Sequence, residues 1–342
     1  MIKSLKVLNL RSHEQMHLQF CRGIFAITGP NGIGKTNLLE AISCVTLGRS
    51  FRTEHLKELI RYDTQSFHIA LSFEESGVDH TIRYNYGLKG KSIQLNDSAY
   101  KTFSPLLGAI PVGIVSPKDV VLIEGAAVSR RKYLNQILCQ SSQEYGYHLK
   151  RYADALEHKN ALLKQGVLHM LPTFDQILYQ SGTVLQRHRQ TLIEQLNVLL
   201  EDEQKALLDP NETVCLEFKP SHIEINDAHR AKEIARRMSL FGPHRDDVVI
   251  CLNGKEASYH ASEGQKRSIV LALRFAEIRS LEQRTGKPTL LLIDDFGAHL
   301  DAKRIARLVE RSKKVEQCII TAPKAPVGID AVIDIEELLT PV

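Results

Sequence analysis

The stretch 27-ITGPNGIGKTNLLEAI-42 decides the fold. Gly29, Gly34, Lys35 and Thr36 stand where the pattern G-x-x-x-x-G-K-[ST] needs them, and Pro30, Asn31, Gly32 and Ile33 fill its variable places. Glycines let the backbone curl so that several N–H groups turn toward phosphate oxygens. Lys35 brings a point charge to the β and γ phosphates, and Thr36 offers a hydroxyl to Mg²⁺. The flanks agree with this reading. 23-GIFAIT-28 is a short apolar strand, and 37-NLLEAISCVTL-47 has apolar residues at helical spacing. A phosphate held there would sit on a helix N-terminus, where the dipole favours negative charge. The competing reading is a Gly-rich turn with no ligand, and the strand and helix on either side weigh against it. ATP and Mg²⁺ are the expected ligands.

The chain has 342 residues, room for one large or two medium domains. Hydrophobic residues at 43% and charged residues at 25% are ordinary for a soluble globular protein. A net charge of +4 permits a nucleic-acid partner without demanding one. Cys21, Cys44, Cys139, Cys215, Cys251 and Cys318 are scattered with no C-x-x-C pair, which speaks against zinc ligation and a disulfide framework. No signal-peptide core and no run of eighteen apolar residues occurs, so a cytoplasmic location and no membrane partner are expected.

Strands come in quick succession at first: 4-SLKVLNL-10, 16-MHLQF-20, 23-GIFAIT-28, 66-SFHIALSF-73 and 79-DHTIRYNY-86. Near 108-GAIPVGIVSPKDVVLIEG-125 the character changes, and from Arg130 to about Leu200 the pattern is helical. Leu134, Ile137, Leu138, Tyr145, Leu149, Tyr152 and Leu156 recur at helical steps, and after Pro172 a second run carries Ile177, Leu178, Leu185, Leu192, Leu196 and Leu200. Two long helices joined near 166–172 are predicted, either as a plain hairpin or as a lobe for DNA or a partner. Strands return after Pro210. 247-DVVICLNGKEASY-259 reads as a hairpin turning at Asn253-Gly254. The expected division is an ATPase lobe in two parts, 1–115 and 211–342, with a helical lobe over 116–210 between them.

Two later stretches complete the chemistry. 288-PTLLLIDD-295 is an apolar strand ending in two carboxylates, the Walker B arrangement. Asp294 is the candidate Mg²⁺ ligand with Thr36. Asp295 stands where ABC-type ATPases usually carry the glutamate that polarises the attacking water. It is assigned the catalytic role together with Lys35. In 261-ASEGQKRSIVLALRFAEI-278, Ser262, Glu263, Gly264 and Gln265 precede a long apolar helix. Alone, they read as a helix cap. They also resemble the ABC signature, another anion grip at a helix N-terminus. 297-GAHLDAKR-304 resembles the D-loop, with Leu300 and Asp301 matching and Ala298 in place of the usual serine.

Taken together, the chain resembles the RecF family of bacterial DNA repair ATPases, relatives of SMC and Rad50. The resemblance rests on 35-KTNLLEAI-42 with 47-LGRSFRT-53, 116-SPKDVVLIEGAAVSRRKYLNQIL-138, 150-KRYADALEHKNALLK-164, 241-FGPHRDDVVICLNG-254, 263-EGQKRSIVLALRFAE-277 and 290-LLLIDDFGAHLD-301, in that order. It implies an α/β, ABC-type P-loop ATPase head with a mixed-sheet lobe, an inserted α-helical lobe and no long coiled coil. It implies an ATP-dependent homodimer in which each signature closes over the partner's nucleotide. It further implies binding to double-stranded DNA and single-strand/double-strand junctions, work with RecR and RecO, and indirect loading of RecA.

The run 9-NLRSHEQMHLQF-20 is closer to the Rad50 form around Arg11, and Arg11 joins the nucleotide-binding candidates. Departures are a switch histidine replaced by 321-TAP-323 and no Q-loop glutamine near 115–117. Arg130, Arg131 and Lys132 are candidate DNA-phosphate contacts, weighed against a solvated helix start. The rival functions are a transporter's nucleotide-binding subunit and a non-hydrolysing scaffold. The basic helical lobe and the missing switch histidine count against the first, and intact Lys35, Thr36 and Asp294 against lost ATP binding in the second.

Overall fold

The structure is a computed structural model and describes residues 1–88, 90–297 and 300–339. It forms two compact units, Met1–Asp119 with Glu277–Val342, and Val120–Ala276. The first unit opens with β1 (Ile2–Leu10), β2 (His13–Gln19), β3 (Gly23–Thr28) and helix α1 (Lys35–Leu47). It continues through β4 (Ser66–Glu75), β5 (Val78–Gly87), β6 (Gly90–Leu95), β7 (Ser98–Tyr100) and β8 (Val112–Val115). The second unit holds α2 (Val121–Glu124), α3 (Ala127–Ser141), α4 (Gln143–Gln165), α5 (Leu171–Leu207), β9 (Val214–Lys219), α6 (Asp227–Arg236), β10 (Asp247–Leu252), β11 (Lys255–Glu256) and α7 (Ala257–His260). Helix α8 (Glu263–Thr285) crosses the division. β12 (Leu290–Ile293), α9 (Ala302–Ser312), β13 (Gln317–Thr321), β14 (Ala331–Asp334) and α10 (Ile335–Leu339) belong again to the first unit.

The expected mixed-sheet lobe is built from two sheets. One is antiparallel, in the order β2-β1-β4-β5-β6-β7; the other is parallel, in the order β14-β3-β13-β12-β8. In the antiparallel sheet apolar residues alternate, so β1 buries Leu5 and Val7 and β4 buries Phe67, Ile69 and Leu71 on one face. In the parallel sheet β12 and β13 are buried at every residue, as strands covered on both faces must be. Helix α1 lies in the core they share. Its Leu38, Leu39 and Ile42 pack in one cluster with Leu5 and Phe67 of the first sheet and Ile27, Leu292 and Ile319 of the second. Eleven of its thirteen residues, Lys35 among them, are buried, and this brings the end of the phosphate loop into a dry setting.

The second unit departs from the sequence reading in three respects. The first helical run is two helices, because Ser142 is extended and its side chain accepts the Tyr145 N–H at 3.1 Å as a cap. Pro172 lies inside the first turn of α5, where its missing N–H goes unneeded; the break is at Gly166, a left-handed C-cap. α5 then runs 37 residues. The lobe expected to end at 210 packs as one unit to Ala276, because β9 and β10 lie on α5 and α3. Asn197 of α5 donates to the Leu216 carbonyl at 2.9 Å and accepts its N–H at 2.8 Å. The predicted hairpin turns at Asn253 and Gly254, both at positive φ, but its second arm is only Lys255–Glu256, and 257–259, read as strand, belong to α7. Among the described residues, no helix is long and apolar enough to cross a membrane.

Candidate nucleotide-binding site

The phosphate loop leaves β3 and enters α1 within the first unit. Gly34, at φ 107°, is the residue before the helix. A Cβ on Gly34 would lie 2.4 Å from Ser12 Oγ and 2.6 Å from His13 Nε2, so the β1–β2 turn admits only glycine there. His13 Nε2 also hydrogen-bonds the Gly34 carbonyl at 3.0 Å, which pins that turn to the loop. α1 has no acidic residue in its first turn and no side-chain cap, so its N-terminal N–H groups face no competing anion of their own helix.

Lys35 is buried, and its Nζ donates to the carbonyls of Gly29 at 2.6 Å and Pro30 at 2.8 Å. Burial lowers its pKa, opposed by the charges of Asp295, Asp294 and Asp334. Thr36 Oγ1 donates to Asp294 Oδ1 at 2.7 Å, so the phosphate loop and the carboxylate strand meet as the two motifs predict. Burial raises the Asp294 pKa, opposed by hydrogen bonds from Thr36 and Thr321. Asp295 is exposed and has a left-handed backbone, φ 55°.

One ammonium, one hydroxyl and one half-buried carboxylate are the donor set that Mg²⁺ with a nucleoside triphosphate requires. Mg²⁺ keeps most of its shell for water and phosphate oxygens and takes one or two protein ligands. The residues present therefore fit the group.

The remaining candidates lie as follows. Arg11, itself at φ 52°, pairs with the buried Glu40 of α1, Nε to Oε2 at 3.0 Å and Nη2 to Oε1 at 2.9 Å. In the second unit, Ser262 and Gln265 form a reciprocal cap at the start of α8. The Gln265 N–H donates to Ser262 Oγ at 3.3 Å, and the Ser262 N–H to Gln265 Oε1 at 2.7 Å. Gln265 Nε2 donates to Glu212 Oε1 at 2.8 Å, and Glu263 pairs with Lys266 at 3.2 Å. Gly264 lies in the first turn of α8. The Leu300 N–H donates to the Gly297 carbonyl at 3.1 Å, and Asp301 caps α9 through the Arg304 N–H at 2.8 Å. Ala298 lies outside the described residues.

Of Arg130, Arg131 and Lys132, the candidate DNA-phosphate contacts, the first two have partners within the second unit. Arg130 is bidentate on Asp247 and also donates to the Gly125 carbonyl, while Arg131 donates to the Asp246 carbonyl at 2.7 Å. Sequence reasoning noted Thr321 only as the residue in place of a histidine. In the structure it bonds both Asp294 and the Asp295 amide. Its signal was available as a hydroxyl at the end of the strand paired to the carboxylate strand.

Residues 1–335 match the RecF/RecN/SMC N terminal domain family. The DNA replication and repair protein RecF of Protochlamydia amoebophila is 36% identical over 346 aligned residues, covering 96% of each chain. A solved structure of the recombination mediator protein RecF in the RecFOR pathway, with ATPrS, is similar with a TM-score of 0.89 at 28% identity, covering 98% of this chain and 95% of that one. A second, RecF-ATP, gives 0.88 at the same identity over 97% of this chain and 95% of that one. Because the likeness extends across nearly the whole of both chains and includes the loop, strand and helix that build the site, the chain belongs to the RecF family of DNA replication and repair proteins.

Proposed function

We propose that this chain is an ATP-driven clamp on DNA in recombinational repair and replication restart. The observation that carries the reading is the bond from Thr36 Oγ1 to Asp294 Oδ1, with Lys35 adjoining on the loop. It joins the two halves of a metal-assisted phosphate site. The solved relative holding ATP supports the choice of nucleotide.

The residues divide the work. The loop N–H groups and the α1 N-terminus bind phosphate oxygens. Lys35 offsets charge on the β and γ phosphates, and Thr36 with Asp294 holds Mg²⁺. Bound Mg²⁺ neutralises charge on the phosphates as they react. Asp295, exposed at the strand end, polarises the attacking water and takes its proton. Two copies enclose two ATP molecules, each between one copy's loop and the other's Ser262, Glu263, Gly264 and Gln265. The γ-phosphate supplies the charge that the second copy grips, so ADP does not hold the dimer. The dimer holds duplex DNA near single-stranded gaps and works with RecR and RecO toward RecA loading. Slow, DNA-stimulated hydrolysis opens it. A cytoplasmic location goes with such a substrate.

The test mixes two inactive chains. Lys35→Ala breaks the loop and Gly264→Glu breaks the signature. Each homodimer has two broken sites, whereas the mixed dimer gathers both defects into one site and leaves the other whole. Mixing should restore ATP-dependent dimer on size-exclusion chromatography and some phosphate release. A monomer hydrolysing ATP at full rate, independent of protein concentration, would exclude the shared site.

A further inference from the structure

Thr321 ends β13, the strand paired beside β12, and its side chain is buried. Its one hydroxyl serves both carboxylate positions. It donates to Asp294 Oδ1 at 2.9 Å and accepts the Asp295 N–H at 2.8 Å. The Thr321 carbonyl accepts the next N–H, that of Phe296, at 2.7 Å. Asp295 at φ 55° has a backbone that residues other than glycine adopt at a cost and keep only when their surroundings hold them. A hydroxyl has a single hydrogen. Donation to Asp294 therefore fixes the side from which the Asp295 amide finds a lone pair. Asp294 Oδ1 accepts Thr36 Oγ1 as well, at 2.7 Å. A continuous chain of bonds thus runs from the phosphate loop through Thr36, Asp294 and Thr321 to the amide of Asp295.

The geometry points to Thr321 as a positioning residue for hydrolysis: its hydroxyl holds Asp295 in the left-handed turn that presents its carboxylate, in register with Asp294 and Thr36. This rests on the ATPase reading above. The backbone pairing of β13 with β3 and β12 needs no hydroxyl, and valine is a good strand former of nearly the same shape. The hydroxyl is therefore separable from the strand.

Thr321→Val and Thr321→Ser are compared with the parent chain. In nucleotide-free protein, hydrogen exchange at the Asp295 amide should speed up in the valine variant and stay parent-like in the serine variant. In steady-state assays kcat should fall about 10- to 100-fold in the valine variant, with KM for ATP within about threefold, and serine should restore the rate. An active parent matched by its valine variant, a serine variant that fails to recover, or unchanged amide exchange overturns the positioning role alone. A parent that binds no ATP overturns the ATPase reading and this role with it.

Discussion

Arg130 of α3 grips Asp247 of β10 with two prongs, Nε to Oδ1 at 2.7 Å and Nη2 to Oδ2 at 3.0 Å. Nη1 adds the Gly125 carbonyl at 2.7 Å and the Leu122 carbonyl at 3.3 Å. The pair fastens the helices of the second unit to its small sheet. Removing the arginine leaves a partly buried carboxylate without its partner. Arg130→Ala should lower stability to urea by about 2 kcal/mol. The slope of DNA affinity against salt should stay as in the parent. A flatter slope with intact stability would mean that this arginine meets phosphate instead.

His244 makes stability depend on pH. Burial lowers its pKa to about 4, and its Nδ1 shares a hydrogen bond with the Tyr152 hydroxyl at 2.7 Å. The folded value lies below the ordinary 6.5, so the unfolded chain binds the proton more readily between these limits. Stability conferred by the neutral ring is present above pH 6.5 and is lost as pH falls toward 4. From pH 7 to pH 5 the loss should be about 2 kcal/mol. Urea unfolding of the parent and of His244→Gln at both pH values checks this, the variant losing that much less.

Lys35→Met removes a charge that no neighbour replaces. Nucleotide affinity should fall by about 10- to 100-fold, read by calorimetric titration with ATP and Mg²⁺. The nucleotide-free fold should lose some stability as well, since methionine leaves the Gly29 and Pro30 carbonyls without the Lys35 donor. Unchanged affinity would remove the loop from the binding site.

Asp295→Asn tests chemistry apart from binding. Asparagine tolerates a left-handed backbone and keeps the amide that Thr321 accepts. ATP affinity should persist within about threefold while hydrolysis falls at least about 100-fold and the ATP-bound dimer lives longer. Parent-like phosphate release would shift the water-activating role to another group.

What could be read from sequence follows the range of each signal. The phosphate loop is local: Gly34 must be glycine because of its own φ and its contact with Ser12, and the pattern carries that requirement in eight neighbouring letters. Alternation in β1 and β4 and the unbroken apolar run of β12 were legible for the same reason. The division between α3 and α4 was hidden, because Leu138 and Tyr145 stay seven apart across Ser142 and keep the helical rhythm. The Arg130 pair was hidden because its partner lies 117 positions on, and three adjacent basic residues look the same whether they face water or a carboxylate. Thr321 was visible as a residue but not as a contact, since its role arises only when β13 lies beside β12. The capped start of α8 was legible at both levels: Ser262 and Gln265 spell a helix start, and the structure builds it.

The strand order β14-β3-β13 has a consequence for the chain while it is being made. β3 is one of the most apolar strands in the protein and lies between two partners that come almost last. On a ribosome, both of its edges stay unpaired until β13 and β14 emerge, roughly three hundred residues and about 15 to 60 s later. The second unit is continuous in sequence and ends only about 40 residues before β13 begins, so nearly the whole chain is made while β3 is still unpaired. The nascent first unit is thus a half-built sheet with an open, sticky strand, the kind of surface that invites pairing with other chains and that a chaperone would have to shield.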